Sequence, residues 1–385
     1  MNASSDHHIP RSECDVVVLG GGPAGAAAAI TLARAGRSVV VIEKSQYAQP
    51  RIGETLPPAA RPLLVELAVW ELFLAAGHLP SPGVLSVWGE EELYETHFIF
   101  NPYGQGWHLD RQRFDTMLAQ AARQAGARLC CDAQVTSCLP LVGERWQVGF
   151  TSGVTSGARQ HQLHTKFLID ATGRTAVLAR WQGAKRLNTD RLVGLAGVLA
   201  ARARESDCPE IECDACTLVE ACAAGWWYSA LLPRARLIAV YMTDADLLPR
   251  HRGSWRAFWH ARLQQTTHTR ARLHAYNLQA VPRVVAANSS RLDSVSGRGW
   301  LAVGDAAMAF DPLSSQGLMH ALVSGMRAGE ALNACLAGEA AAMGEYDRRA
   351  NEVFRDYARL RGVYYGREQR WPQSVFWRRR HAVAA

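Results

Sequence analysis

Gly20-Gly21-Gly22-Pro23-Ala24-Gly25 fits the pattern G-x-G-x-x-G. Between a strand and a helix, such a run binds a dinucleotide. The first Gly allows a tight turn, the second lets the backbone approach a pyrophosphate, and the third lets helix and strand pack closely. The N-terminus of the helix that follows supplies free N–H groups and the positive end of a dipole to the phosphates. Glu43 lies 18 residues beyond Gly25. A carboxylate there accepts both hydroxyls of an adenosine ribose and repels a 2′-phosphate, which disfavours NADP. Lys44 and Arg51 follow it and join the candidate cofactor residues.

A second group lies near the other end of the chain. Trp300-Leu301-Ala302-Val303 runs into Gly304-Asp305, and Asp311-Pro312-Leu313-Ser314-Ser315-Gln316-Gly317 leads into a helix through Leu318. Asp305 can hold a ribityl hydroxyl, although an Asp at a strand end is also a common cap. The helix N-terminus near Gly317 can face a flavin, where its dipole stabilises negative charge on the reduced ring. With this second group present, FAD is favoured over NAD. His108 and His320 lie beside these motifs and are the acid/base candidates; a structural hydrogen bond is the competing role for each. Trp226, Trp227 and Tyr228 form an aromatic run suited to lining a substrate pocket or to filling a core.

The elements that must position these residues can be read from apolar runs. Val16-Val17-Val18-Leu19 and Val39-Val40-Val41-Ile42 read as buried parallel strands, joined by an Ala-rich helix over 24–35 that Gly36 closes. A helix is predicted over 114–125, with strands over 128–150 and 161–170. A strand-rich middle follows at 193–201, 226–232 and 237–243, then one amphipathic helix over 254–276. Strands return at 281–287 and 300–303, a long helix spans 315–336, and Pro372 is expected to end the last regular element. The fold class is α/β: a Rossmann-like FAD-binding domain with an inserted antiparallel-sheet substrate domain and a C-terminal helical segment. Residues 1–13 are assigned to a tail. Residues 14–75, 105–185 and 281–340 are assigned to the FAD-binding domain, 76–104 and 186–280 to the substrate domain, and 341–385 to the Arg-rich helical segment.

Composition excludes several classes. The 385 residues are 48% hydrophobic and 20% charged, enough for a sizeable core and too apolar for disorder. The net charge is +7, and eight Arg against two acids between residues 355 and 385 carry +6 of it. The rest is nearly neutral, which argues against a general nucleic-acid surface. The basic tail either docks an acidic partner or packs on the body as a helix. Nine Cys in so long a chain indicate a reduced, cytoplasmic protein. Cys213-Asp-Ala-Cys216 has ligand-like spacing, but neither a second pair nor a suitably placed His accompanies it, so no metal site is assigned. The polar N-terminus lacks the apolar core of an export signal. The uncharged stretch 16–33 is broken by Gly20-Gly21-Gly22-Pro23, so no membrane span is expected.

In their order along the chain, five motifs resemble the p-hydroxybenzoate-hydroxylase-type FAD proteins. They are Gly20–Gly25 with Glu43, Arg51-Ile52-Gly53-Glu54-Thr55-Leu56-Pro57-Pro58, Leu109-Asp110-Arg111-Gln112-Arg113-Phe114-Asp115, Asp170-Ala171-Thr172-Gly173, and Gly304 through Gly317. Within that superfamily the chain resembles the branch of flavin-dependent halogenases and geranylgeranyl reductases. More narrowly, it is similar to the LodB-like flavoproteins, which mature quinone-containing amino-acid oxidases. The narrower likeness rests on residues 53–58, 101–111, 225–230 and 371–377.

The resemblance implies that Gly20, Gly22, Pro23, Ala24, Gly25 and Glu43 hold the ADP part of FAD and that Arg113 reaches its ribose or pyrophosphate. It implies further that Asp305 takes the ribityl–pyrophosphate link, that Pro312, Leu313 and Gly317 line the isoalloxazine, and that Gly53-Glu54-Thr55 lies on the flavin's other side. The implied activity is an FAD monooxygenase hydroxylating an indole ring, the Trp side chain of a quinoprotein amino-acid oxidase precursor on its way to cysteine tryptophylquinone. The electron donor would be NAD(P)H directly or a separate flavin reductase; no second G-x-G-x-x-G accompanies the first. Related halogenases carry a Lys in a Lys-Pro-Gly-like stretch, where this chain has Ser81 within His78-Leu79-Pro80-Ser81-Pro82-Gly83. Their Trp-x-Trp-x-Ile-Pro stretch is altered here to Trp226–Pro233. A halogenase of an indole or phenol, a flavin-bearing maturation chaperone and an isoprenoid reductase are the alternatives.

Overall fold

Val16, Val17 and Val18 have apolar neighbours on both sides and lose all exposure, because the strand Glu13–Leu19 lies inside a parallel sheet. The structure, a computed structural model, describes residues 13–49, 51–153, 157–202 and 215–384. From one edge the sheet runs Ser296–Gly297, Trp300–Ala302, Arg159–Asp170, Glu13–Leu19, Val39–Ile42 and Arg128–Cys130. All of these except the first are parallel. Leu19 pairs with Ile42 on one side and Asp170 on the other, and Asp170 pairs in turn with Ala302. Gly20, Glu43, Asp170 and Gly304 therefore converge at the carboxyl ends of four adjacent strands, where open α/β sheets bind ligands. The strands Ala133–Leu141 and Arg145–Ser152 join antiparallel to Arg159–Asp170.

Small residues bring two helices of this domain unusually close. Pro23–Arg34 packs along Gly317–Leu336. A Cβ on Gly329 would lie 2.8 Å from Thr31 Cβ, and one on Gly325 would strike the Ala24 carbonyl. A Cβ on Gly304 would sit 2.9 Å from Ala24 Cβ, so the two cofactor motifs are pressed together at their glycines.

The substrate sheet runs Tyr276–Leu278, Leu192–Ala201, Arg236–Asp244, Gly225–Leu232, Thr217–Cys222, Gly83–Val87 and Tyr94–His97. Both of its faces are covered. One packs on Ile52, Leu313, Trp371 and Trp377 of the surrounding segments. The other packs on Trp259, Leu263 and Leu273 of the helices Trp255–Leu263 and His268–Leu273. Those two helices replace the single helix expected over 254–276. The break has a cause outside the segment: the buried Glu220 carboxylate accepts from Thr267 N at 2.8 Å and Thr269 N at 2.6 Å, which caps a new helix.

Three boundary strands pair differently from their assigned domains. Arg283–Ala286 joins Leu192–Ala201 in the substrate sheet. Arg186–Asn188 pairs with Ser290–Leu292, and Leu79–Ser81 with Gly106–His108, each in a small separate sheet. Pro372 does not end the regular structure, because Val375–Ala384 forms another helix. This helix and Ala342–Arg367 lie against the body, with Tyr365, Phe376 and Trp377 almost fully buried. The basic tail is accordingly no free arm. Arg361 pairs with Asp190 and Asp311, Arg370 with Glu368, Arg379 with Asp244 and Asp246, and Arg380 with Asp244. Among the described residues, no helix is long and apolar enough to cross a membrane.

Candidate active site

The nucleotide end is built by the turn after the first strand. Gly20 adopts a φ of +104°, and a Cβ there would strike the Ala171 carbonyl. A Cβ on Gly25 would strike the Gly20 carbonyl. These two glycines are required by the protein's own packing. Gly22 differs: a Cβ there would meet only Arg51 Nη1, at 3.6 Å. Pro23 occupies the first turn of its helix, and neither Gly22 nor Gln316 caps its helix with a side chain. Both helices thus present unsatisfied N–H groups toward the cofactor motifs, as phosphates and a flavin require.

Glu43 is buried at the end of the second strand, where Oε2 accepts from Gly21 N at 2.6 Å and Oε1 from Ser45 N at 2.9 Å. Arg51 reaches Glu43 at 3.4 Å and Asp115 at 3.2 Å. Lys44 is exposed beside them. Asp305 faces Arg174 at 3.5 Å and keeps two-fifths of its side chain exposed, while Arg186 holds the turn behind it by donating to the carbonyls of Asp305 and Ala306. In the following loop, Pro312 and Gly317 are exposed, Leu313 packs toward the substrate sheet and Leu318 is buried in the domain core. A Cβ on Gly317 would meet nothing within 4 Å.

Arg113 and Arg111 take different directions from the same helix. Arg113 is nearly half exposed and donates to the Ala76 carbonyl at 3.1 Å. Arg111, two residues earlier, turns inward instead. It pairs with Asp115 at 3.1 Å and donates to the carbonyls of Ile52 and Gly53 at 3.0 and 3.1 Å. Sequence reading passed it over, although Arg111 and Asp115 at i and i+4 were a visible ion-pair signal.

The segment held by Arg111 carries a second group that the sequence left without a role. Glu54 is 3% exposed, and its Oε2 has no hydrogen-bond partner among the described residues. Burial raises this carboxyl to about 7. Next to it, Thr55 Oγ1 lies 2.7 Å from the Tyr228 hydroxyl and so ties the segment to the substrate sheet. Tyr228 thereby reaches a cofactor motif through a side-chain hydrogen bond. Trp226 shares its sheet face but is sealed in, its N–H donating to Tyr365 at 3.1 Å and its ring under Trp88. Trp227 points to the opposite face, fully buried against Tyr241 and Trp259.

The two candidate His residues are both interior. His108 is fully buried, with Nε2 at 2.9 Å from Thr217 Oγ1, linking its small sheet to the substrate sheet. His320 lies in the first turn of Gly317–Leu336 against Phe310. Its Nε2 is buried without a partner among the described residues, and burial lowers the imidazole to about 4. Of the cysteine cluster, Cys208 and Cys213 lie outside the described residues, whereas Cys216 and Cys222 are buried thiols.

A G-x-G-x-x-G turn, a strand-terminal carboxylate and a second helix N-terminus at the carboxyl end of one parallel sheet are the marks of a flavoprotein of the Rossmann type. The FAD binding domain family matches residues 13–359, and the chain belongs to it; the protein is a flavin-dependent oxidoreductase whose cofactor is FAD. It is 30% identical over 382 residues to the FAD-dependent oxidoreductase LodB of Marinomonas mediterranea, covering 96% of this chain and 98% of that one. It is 26% identical to the tryptophan 2-halogenase of Chondromyces crocatus over 95% of this chain and 70% of the other. Among solved structures, it matches the peptidyl tryptophan dihydroxylase QhpG, which is essential for tryptophylquinone cofactor biogenesis. That match has a TM-score of 0.77 and 28% identity over 96% of this chain and 78% of QhpG.

Proposed function

We propose that the protein hydroxylates the indole ring of a Trp carried by a partner polypeptide, a quinoprotein amino-acid oxidase precursor, during formation of a tryptophylquinone. The observation that carries this reading over halogenation is Ser81. It is 2% exposed and holds the Gly83 carbonyl at 3.3 Å, in the place where the resemblance puts a halogenase Lys. The whole sequence has three lysines, Lys44, Lys166 and Lys185. Lys44 follows Glu43, Lys166 pairs with Asp15 of the neighbouring strand in the FAD-domain sheet and Lys185 lies beside Asp293. None stands on the substrate sheet.

The turn 20–25, Glu43, Asp305 and the loop 312–318 would hold FAD, which supplies activation of dioxygen for transfer of one oxygen atom to an electron-rich ring. Tyr228 and Thr55 fix the distance between the cofactor segment and the substrate sheet. Ile52, Leu313, Ala196 and Val240 exclude water from that seam. Glu54 holds or releases a proton at Oε2 near neutral pH, which makes it a stronger acid/base candidate than His108 or His320. Electrons would come from NAD(P)H or from a flavin reductase.

The test is to incubate the reduced holoenzyme with ¹⁸O₂ and the unmodified partner and to read the partner's mass. Trp gaining ¹⁸O is the expected result. The likeness to a tryptophan halogenase supports the rival reading, so bromide is present in a parallel sample. Bromine on the indole, or efficient turnover of free tryptophan with the polypeptide untouched, would replace the proposal.

A further inference from the structure

The strand Tyr94–His97 closes one end of the substrate sheet and, among the described residues, pairs with Gly83–Val87 alone. All four of its residues are exposed. Phe98 N donates to the Pro82 carbonyl at 2.7 Å, which sets the alternation of the antiparallel ladder. Residues 94 and 96 turn their backbone groups inward, and Glu95 and His97 turn theirs outward, where no described residue pairs with them. Such an edge accepts another strand unless Lys, Pro or a bulge blunts it, and residues 90–100 contain neither Lys nor Pro.

The flanks add charge and apolar surface. Glu90, Glu91 and Glu92 are exposed and form no ion pair with any described residue, and Glu95 pairs only with His97 at 3.0 Å. On the other side, Ile99 is 80% and Phe100 94% exposed. A second copy of this chain would bring like charges together across the new ladder, which is unfavourable, whereas a basic segment would be drawn in.

We propose that this edge, with the acidic run before it and the Ile99–Phe100 tip after it, docks an extended basic segment of a second polypeptide as an added strand. Its distance from Tyr228 is within reach of that polypeptide. Tyr94, Ser86, Val219, Tyr228 and Val240 form one row across the sheet. An added strand would lie four strand spacings from Tyr228, about 19 Å, which about six extended residues span. A segment that left the docked strand and turned across the sheet would therefore need about six further residues to bring a side chain up to the segments that cover Tyr228. The identity of that side chain as Trp rests on the function proposed above; the docking does not.

The test uses the full FAD-loaded chain and a short synthetic peptide alternating Lys and Val, followed by fluorescence anisotropy and hydrogen exchange. The peptide is expected to bind and to protect the amides of Glu95 and His97. Affinity is expected to fall about tenfold for Glu91→Lys/Glu92→Lys, and by a similar factor when alternate peptide amides are N-methylated. Equal binding of a Glu-Val peptide, indifference to N-methylation, or concentration-dependent self-association through this edge would overturn the proposal. So would unchanged oxidation of a partner Trp by the Glu91→Lys/Glu92→Lys variant, which would leave the hydroxylase reading intact. Docking without any Trp oxidation would do the reverse.

Discussion

The Tyr365 hydroxyl donates to Asp311 Oδ2 over 2.8 Å, joining the end of a long C-terminal helix to the loop that leads into Gly317–Leu336. Burial beside Asp311 keeps the phenol protonated. The same hydroxyl accepts from Trp226 Nε1, and Arg361 donates to the same Asp311 oxygen at 3.1 Å. One carboxylate thus connects the substrate sheet, the cofactor loop and the tail.

Because these groups are buried, cutting the connection leaves polar atoms without partners. Tyr365→Phe is expected to cost about 1–3 kcal/mol and Arg361→Ala about 3–5 kcal/mol. Urea unfolding of the holoenzyme checks both. A midpoint unchanged by either substitution would mean that water replaces the lost bonds.

Gly22→Val should leave the apo fold intact and abolish FAD binding, since nothing of the protein itself crowds that Cβ. The checks are flavin absorbance after reconstitution and the melting temperature. Full occupancy in the variant would show that the pyrophosphate lies elsewhere.

Glu54 gives a pH signature. Its carboxyl titrates near 7 when folded and near 4.5 when free, so the folded chain binds the extra proton. The stabilisation is complete below about 4.5 and is lost as pH rises through about 7, a difference of roughly 3 kcal/mol. Glu54→Gln should remove that slope, read as the urea midpoint of wild type against variant on both sides of the interval. Parallel curves would show a hydrogen-bonded or hydrated carboxylate.

Trp227→Ala is expected to cost about 3–5 kcal/mol through the cavity it leaves. Its KM for substrate should not change, because the ring faces away from the cofactor segment. Tyr228→Phe should do the opposite, costing about 1 kcal/mol in stability while lowering turnover. A shifted KM with Trp227→Ala would return that side chain to the pocket.

The parallel core was legible because continuous apolar runs such as Val39–Ile42 have few other homes, and the glycine turn because its spacing is tied to backbone geometry. The failures have physical reasons. Adjacent residues of a strand point to opposite faces, but in a sheet buried on both sides Trp226 and Trp227 look equally apolar, so sequence cannot say which one faces the cofactor. Arg111 and Arg113 lie two positions apart on a helix, which places them on nearly opposite sides. The break at residues 264–267 comes from Glu220, 47 residues away from Thr267, and no local pattern encodes it.

Synthesis order gives the Asp311 connection another meaning. A nascent chain that has exposed residue 340 already carries the glycine turn, Glu43, Asp305 and the helix packed against Pro23–Arg34. It still lacks Tyr357, Arg361 and Tyr365, which fasten the loop at Pro312, and Phe376 and Trp377, which close the substrate face. The Gly20 turn thus closes on residues made earlier in synthesis, whereas the loop at Pro312 is fastened only after the tail has left the ribosome.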